Sequence, residues 1–215
     1  MAKVSCKNFD ISKLSFAKDT SNKATYKVLY DGNPLKLSTH KLRCRNGVTK
    51  SDTYTFLDLS CDEALSDILE NIDTKVISYV TENSETVLGK KRSRANVEDI
   101  YKDTVRGSSN AFIRARLSDG LKIYDKQRKD ISDANENVEQ DDTVQVLLRL
   151  DCVRAAPGTV KCNWYVDQLK LQKIVSDCLI SDSESDSDSE NVHERYHSRV
   201  SALTGGGGSG SDDDY

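Results

Sequence analysis

The chain is poor in the groups that most catalytic sites need. Its 215 residues include three histidines, and two of them, His193 and His197, stand close to the C-terminus. No glycine-rich phosphate loop, no Ser/His/Asp set and no carboxylate pair on one face can be traced, so enzyme chemistry is poorly provided for and no cofactor is expected. Six cysteines are present (Cys6, Cys44, Cys61, Cys152, Cys162, Cys178), but none forms a Cys-x-x-Cys pair. Without that spacing no loop offers two thiolates to zinc, and buried free thiols are expected instead. No run of about 18 apolar residues exists, so no membrane-spanning segment and no membrane partner are expected. The first residues, Met-Ala-Lys-Val-Ser-Cys-Lys, lack the apolar stretch of a signal peptide. An intracellular protein with reduced thiols is the expectation. Aromatic residues are few as well: four Phe and one Trp allow a core, but not a rich one.

Charge is what the chain has, and it is divided unevenly. Residues 177–215 hold ten acidic residues and two basic ones, Arg195 and Arg199, a net of about −8. The remaining body keeps 29 basic and 25 acidic residues, a net of about +4. A mildly basic body carrying an acidic arm implies an anionic ligand or a basic partner. The expected division is a folded domain over 1–176 and a disordered acidic tail over 177–215. Within the tail, Ser181–Glu190 alternates Ser with Asp or Glu. Gly205–Ser211 has the composition of a flexible linker, native or engineered, and the end is Asp212-Asp213-Asp214-Tyr215.

The body reads mainly as strands. Lys23–Tyr30 alternates, Asp31-Gly32-Asn33-Pro34 reads as a turn and Leu35–Thr39 as its return strand. Thr53–Leu59 is a further strand. From Asp62 the period changes. Leu65, Ile68, Leu69, Ile72, Val76, Tyr79 and Val80 fall on one helical face, Ser60-Cys61-Asp62-Glu63 has capping-box form, and Gly89 ends the pattern. A short helix is expected over about 96–102. Ala111–Leu117 and Leu121–Lys126 read as a hairpin across Ser118-Asp119-Gly120. Thr143–Ala155 and Thr159–Leu171 are joined at Pro157-Gly158, with Trp164 in the core. Strands before and after a helical excursion predict a mainly β (α+β) fold: an OB-type β-barrel with a helical insertion.

The 111–126 hairpin carries the functional expectation. Alternation sends Ile113, Ala115, Leu117, Leu121 and Ile123 to one face. The other face receives Phe112, Arg114, Arg116, Lys122, Tyr124 and Lys126. Cations interleaved with aromatic rings suit single-stranded nucleic acid, which offers phosphates and base faces together. A merely solvated basic face is the plain alternative. Lys27, Arg43, Arg45, Lys161 and Tyr165 are candidates to extend the groove, while Tyr54 and Phe56 fit groove or core equally. Lys90-Lys91-Arg92-Ser93-Arg94 suits phosphate tracking, nuclear import or a plain charged loop. His193-Glu194-Arg195-Tyr196-His197 matches H-E-x-x-H, but no further His, Cys or Glu follows to supply a third ligand, so no metal site is expected. A short docking helix with Val192, Tyr196, Val200 and Leu203 near one face is the alternative reading. The Ser-Asp run reads as an acidophilic-kinase substrate or as a plain spacer.

Several stretches resemble a family. They are Tyr26-Lys-Val-Leu-Tyr-Asp-Gly-Asn-Pro-Leu35, the strand ending Leu57-Asp58-Leu59, and the helix closing on Leu88-Gly89-Lys90-Lys91. Leu121-Lys-Ile-Tyr-Asp125 and Lys161–Leu171 complete them, the last with Cys162, Trp164, Val166, Gln168 and Lys170 in the family's spacing. Together these resemble small proteins of nucleocytoplasmic large DNA viruses, similar to the OB-fold single-stranded DNA-binding proteins of short-tailed coliphages. The resemblance implies a non-enzymatic protein that coats single-stranded DNA during viral replication and recombination. It implies an acidic tail ending in an aromatic residue, here Asp212, Asp213, Asp214 and Tyr215, that recruits viral replication proteins such as a polymerase or primase-helicase. A homodimer, and a place at viral replication sites of the host cell or in the virion, are further expectations. The rival expectation is a non-catalytic interaction or virion-structural protein whose tail binds basic partners.

Overall fold

The computed structural model describes residues 3–19, 24–132, 138–156 and 158–175. In chain order the strands are β1 (Val4–Ser5), β2 (Leu14–Lys18), β3 (Thr25–Tyr30), β4 (Asn33–Pro34), β5 (Lys36–Ser38), β6 (Leu42–Arg43), β7 (Thr49–Lys50) and β8 (Thr55–Ser60). Helices α1 (Glu63–Glu82), α2 (Ser84–Leu88) and α3 (Arg94–Glu98) follow. Then come β9 (Tyr101–Lys102), β10 (Val105–Arg106), β11 (Phe112–Tyr124), β12 (Thr143–Ala156) and β13 (Thr159–Leu171). The described chain is mainly β, with its helices inserted between β8 and β11. No helix among the described residues is long and apolar enough to cross a membrane. The expected tail, with its Ser-Asp run, H-E-x-x-H stretch and Asp-Asp-Asp-Tyr end, lies outside the described residues.

The frame is a circuit of five strands. β12 and β13 pair antiparallel along nearly their whole length, β13 and β11 run parallel, β11 pairs antiparallel with β8, and β12 pairs with β6. No ladder joins β6 to β8. A single bridge between Cys44 and Leu59, with the Arg45 amide donating to the Asp58 carbonyl at 2.8 Å, spans that seam. The result is the partly open five-strand barrel expected of an OB-type fold. Leu57, Leu59, Ile113, Ala115, Ile123, Val144, Val146, Leu148, Leu150, Trp164, Val166 and Leu169 point into it and are buried.

Helix α1 covers the barrel because its apolar stripe has helical spacing. Leu65, Leu69, Ile72, Val76 and Val80 are all fully buried, each worth roughly 1.5–3 kcal/mol. Phe16 and Tyr26 meet Tyr79 from β2 and β3, with ring centroids 4.3 and 5.9 Å away. The cap is Asp62, whose carboxylate accepts from the Leu65 amide at 3.0 Å. The expected Ser60 capping box does not form, because β8 runs through Ser60 opposite Phe112. A buried polar cluster ties α1 to the strands beyond it. Asp73 accepts from the Tyr101 hydroxyl (2.6 Å), the Thr104 amide (2.8 Å) and the Thr104 hydroxyl (2.7 Å). Burial pushes the Asp73 carboxyl above the ordinary aspartate value.

Four further expectations are corrected. The first turn is confined to Asp31-Gly32, both at positive φ (48° and 73°), so Asn33-Pro34 already pairs back on β3. The following strand, β5, joins β12 and β1 rather than β3. The second helix ends at Glu98, and Tyr101-Lys102 is instead a strand beside β13. The 111–126 hairpin does not exist. Residues 112–124 form one strand, and both halves run parallel to β13. Ser118 to Leu121 bulge out between the Leu117–Val166 and Lys122–Gln168 pairs, and Ser118 is tied down by its hydroxyl, which donates to the Val166 carbonyl at 3.1 Å. Gly120 has no positive φ, so Asp119-Gly120 makes no hairpin turn.

Candidate nucleic-acid interface

One strand in place of a hairpin still carries the same alternation. Four residues separate Leu117 from Lys122, so parity survives the bulge: Ile113, Ala115 and Ile123 stay inside, and Phe112, Arg114, Arg116, Lys122 and Tyr124 stay outside. The expected mixed face is therefore real, and the neighbouring strands widen it. Register pairs place Phe56, Arg116, Tyr165, Arg149 and Lys36 in one row across β8, β11, β13, β12 and β5. At about 4.8 Å between strands the row spans roughly 19 Å.

On this face guanidinium groups lie over rings. Arg114 stands 4.1 Å from the centroid of Phe56, Arg116 4.2 Å from Tyr54, Arg45 4.5 Å from Phe112 and Arg149 4.9 Å from Tyr165. Each contact is a cation–π pair, and each leaves a flat cationic plane or a ring available for stacking. Tyr54 and Phe56 thus belong to the face rather than the core; Phe56 is hidden because Arg114 covers it. Trp164 is core, with its indole N–H donating to the Thr104 hydroxyl at 3.4 Å.

The central cations are matched by carboxylates. Asp58, 3% exposed, accepts from Arg114 Nε and Nη2 at 2.8 and 2.7 Å. Asp167 accepts from Arg149 Nε at 3.0 Å and from Lys36 Nζ at 2.6 Å, and Arg149 also reaches Asp151. Lys122 pairs with Asp130 at 3.3 Å, and Arg43, at the margin of the face, with Asp141 at 2.7 Å. Arg45 donates to the Asn110 carbonyl at 2.7 Å. Arg116 differs: among the described residues it has a ring beneath it and no ion pair.

Away from the centre several cations are unmatched. Arg154, Lys161 and Lys102 lie side by side on β12, β13 and β9, and Lys27 on β3 faces Cys152 one row away. None of the four has an ion pair among the described residues. At the other end Tyr124 lies opposite Lys170, and Lys126, just past the strand, is exposed. The eleven residues expected to contact nucleic acid lie on or beside this face, whereas Asp212, Asp213, Asp214 and Tyr215 lie outside the described residues. Arg149, Lys36, Arg154, Lys102, Lys170 and Arg128 were not anticipated. Arg149 was findable, since the alternation that buries Leu148 and Leu150 turns it outward; the rest depend on pairings between distant strands.

The expectation of buried free thiols holds for Cys44 and Cys152, while Cys6, Cys61 and Cys162 are half-buried. The five described cysteines are free. Burial pushes Cys6 up to about 11 and Cys44 and Cys61 up to about 12.

No protein-family model and no curated protein matches this chain. Solved structures do resemble it. The single-stranded DNA-binding protein from bacteriophage Enc34 aligns with a TM-score of 0.46 and 13% identity, over 80% of this chain and 98% of that one. The same phage protein in complex with ssDNA gives 0.45 and 13%, over 75% and 97%. The crystal structure of gp2.5, a single-stranded DNA-binding protein encoded by bacteriophage T7, gives 0.46 and 10%, over 68% and 97%.

Proposed function

We propose that this chain binds single-stranded DNA on the outward face of β8, β11, β13 and β12, without strong sequence preference. The observation that carries the reading is the set of four guanidinium groups laid over Phe56, Tyr54, Phe112 and Tyr165 on one exposed sheet. Bases stack on rings and on guanidinium planes whatever their identity, and each stacked base contributes about 1–3 kcal/mol. A duplex hides its base faces, so it cannot use these platforms. Coating of exposed strands during viral DNA replication and recombination, at replication sites of the host cell, belongs to the same reading and rests on the sequence resemblance.

The tail completes the proposal. Its net charge of about −8 opposes a body of about +4. It competes with DNA for the basic face and, once displaced, offers Asp212, Asp213, Asp214 and Tyr215 to replication proteins. Fluorescence anisotropy with labelled oligo-dT at about 50 mM salt tests the binding reading, because phosphate contacts are strong there. Saturable binding that survives excess duplex is expected. No binding supports instead a non-catalytic protein whose acidic tail holds basic partners. Deleting residues 177–215 raises affinity at low salt if the tail competes; unchanged or weaker binding refutes competition.

A further inference from the structure

We propose that the concavity at the Tyr124 end of the outward face is a pocket for one nucleotide of the bound strand, base and phosphate together. This deepens the strand-binding reading and depends on it. The concavity has a volume of about 340 Å³ and is lined by Lys3, Tyr124, Arg128, Gln145, Gln168 and Lys170 among others. Its size is that of a small-ligand pocket. Its chemistry matches the three parts of a nucleotide. Tyr124 supplies a ring for the base. Gln145 and Gln168 supply amides that both donate and accept, so any base edge finds a partner. Lys3, Arg128 and Lys170 supply three cations, and none has an ion pair among the described residues.

These groups are brought together by register. Tyr124, Lys170 and Gln145 form one cross-strand row over β11, β13 and β12, and Gln168 faces Lys122 and Leu147 in the next. Lys3 arrives with β1, which pairs parallel with β5. Arg128 is held differently, and its backbone is an independent sign. It adopts φ 69°, a conformation that suits glycine and that an arginine seldom holds. The turn around it is fixed by buried Asp125. The Arg128 amide donates to the Asp125 carbonyl at 3.0 Å, and the Lys129 amide to the Asp125 carboxylate at 2.9 Å. A glycine would meet the backbone demand with less strain, so an arginine there keeps its side chain for a task beyond folding.

The full chain is tested with fluorescein-labelled oligo-dT of about 16 nucleotides, within the range one OB-type domain covers. Arg128→Gly keeps the turn and removes the guanidinium. Melting temperature should hold or rise, while the negative slope of log affinity against log salt shrinks by about 0.7, the share of one phosphate contact. Tyr124→Ala should weaken binding about 5- to 150-fold, the range of one stacked base, and Tyr124→Phe should restore it. Irradiation of an oligo-dT carrying one 5-iododeoxyuridine should link that base to Tyr124, whereas free thymidine monophosphate should compete only weakly. If the wild-type chain binds oligo-dT but Arg128→Gly keeps the full slope and no cross-link reaches Tyr124, the pocket is overturned and the face remains. If the wild-type chain does not bind oligo-dT, both readings fall.

Discussion

Three aspartates are sealed from water among the described residues; Asp125 fixes the turn at Arg128, and the other two, Asp73 and Asp58, are held in contrasting ways. Asp73, 6% exposed, sits where α1 meets the segment of β9 and β10. Asp58, 3% exposed, sits on β8 beneath the outward face. Asp73 is held by two hydroxyls and an amide, all neutral donors. Asp58 is held by a guanidinium that itself remains partly in solvent. The first arrangement ties a helix down and has no charge to offer. The second fixes an arginine over Phe56, at the centre of the candidate interface. One buried carboxylate serves the fold, and the other serves the surface through the fold.

Removing each carboxylate should separate the two roles. Asp73→Ala leaves three buried donors without an acceptor. At about 1–3 kcal/mol each, less what relaxation recovers, a loss of about 4 kcal/mol is expected. For a chain of this size that is a fall in melting temperature of about 10 °C, read by calorimetry, with oligo-dT affinity unchanged in the folded protein. A variant that melts normally but binds DNA poorly would reverse the assignment.

Asp58→Ala should cost less in stability, about 2–3 kcal/mol, because Arg114 can turn to water once released. Its larger consequence is at the surface. Arg114 no longer lies fixed over Phe56, and oligo-dT affinity falls by an estimated 5- to 10-fold through lost preorganisation. Equal melting losses in both variants, with no difference in binding, would dissolve the contrast.

Acidity distinguishes the same pair. Burial raises the Asp73 carboxyl in the folded state above its ordinary value near 3.8. The folded state therefore binds more protons than the unfolded one, and this contribution to stability falls as pH rises from that value through the raised one. Asp73→Asn has no such carboxyl. As pH rises above about 4 the wild type should lose stability relative to Asp73→Asn, measured as the difference in melting temperature. A difference that moves the other way contradicts the sign.

Much of this was legible where a period repeats over many residues. Thr159–Leu171 and the stripe of α1 follow from alternation and from three- and four-residue spacing, and tertiary packing reinforces both. The inside and outside of β11 were legible for the same reason. Its partner was not. Asp31-Gly32 and Asp119-Gly120 carry the same local turn signal, yet only the first turns. At the second, both flanks find β13, and long-range pairing outweighs a dipeptide preference. The Val4–Ser5 and Leu14–Lys18 strands are too short or too weakly alternating to read. Lys102 and Arg154 become neighbours of Lys161 only through register between segments far apart in the chain.

The smallest expected effect tests how the outward face divides its work. At its centre Arg149 is neutralised by Asp167, so Tyr165 beneath it contributes a surface for stacking rather than net charge. At its edge Lys161 stands between Arg154 and Lys102 with no carboxylate partner among the described residues, so it contributes charge without a ring. A phosphate held by Lys161 releases counterions, and each such contact adds about 0.7 to the salt slope on a single strand. Lys161→Ala should therefore lower affinity only a few-fold at about 50 mM salt while reducing the slope by about 0.7. Tyr165→Ala should lower affinity at every salt concentration and leave the slope intact, because stacking releases no counterions. Anisotropy titrations of both variants across a salt series decide the matter. Parallel changes in slope would mean that charge and stacking are not divided between edge and centre, and that the cations over the rings leave their carboxylates for phosphate when DNA arrives.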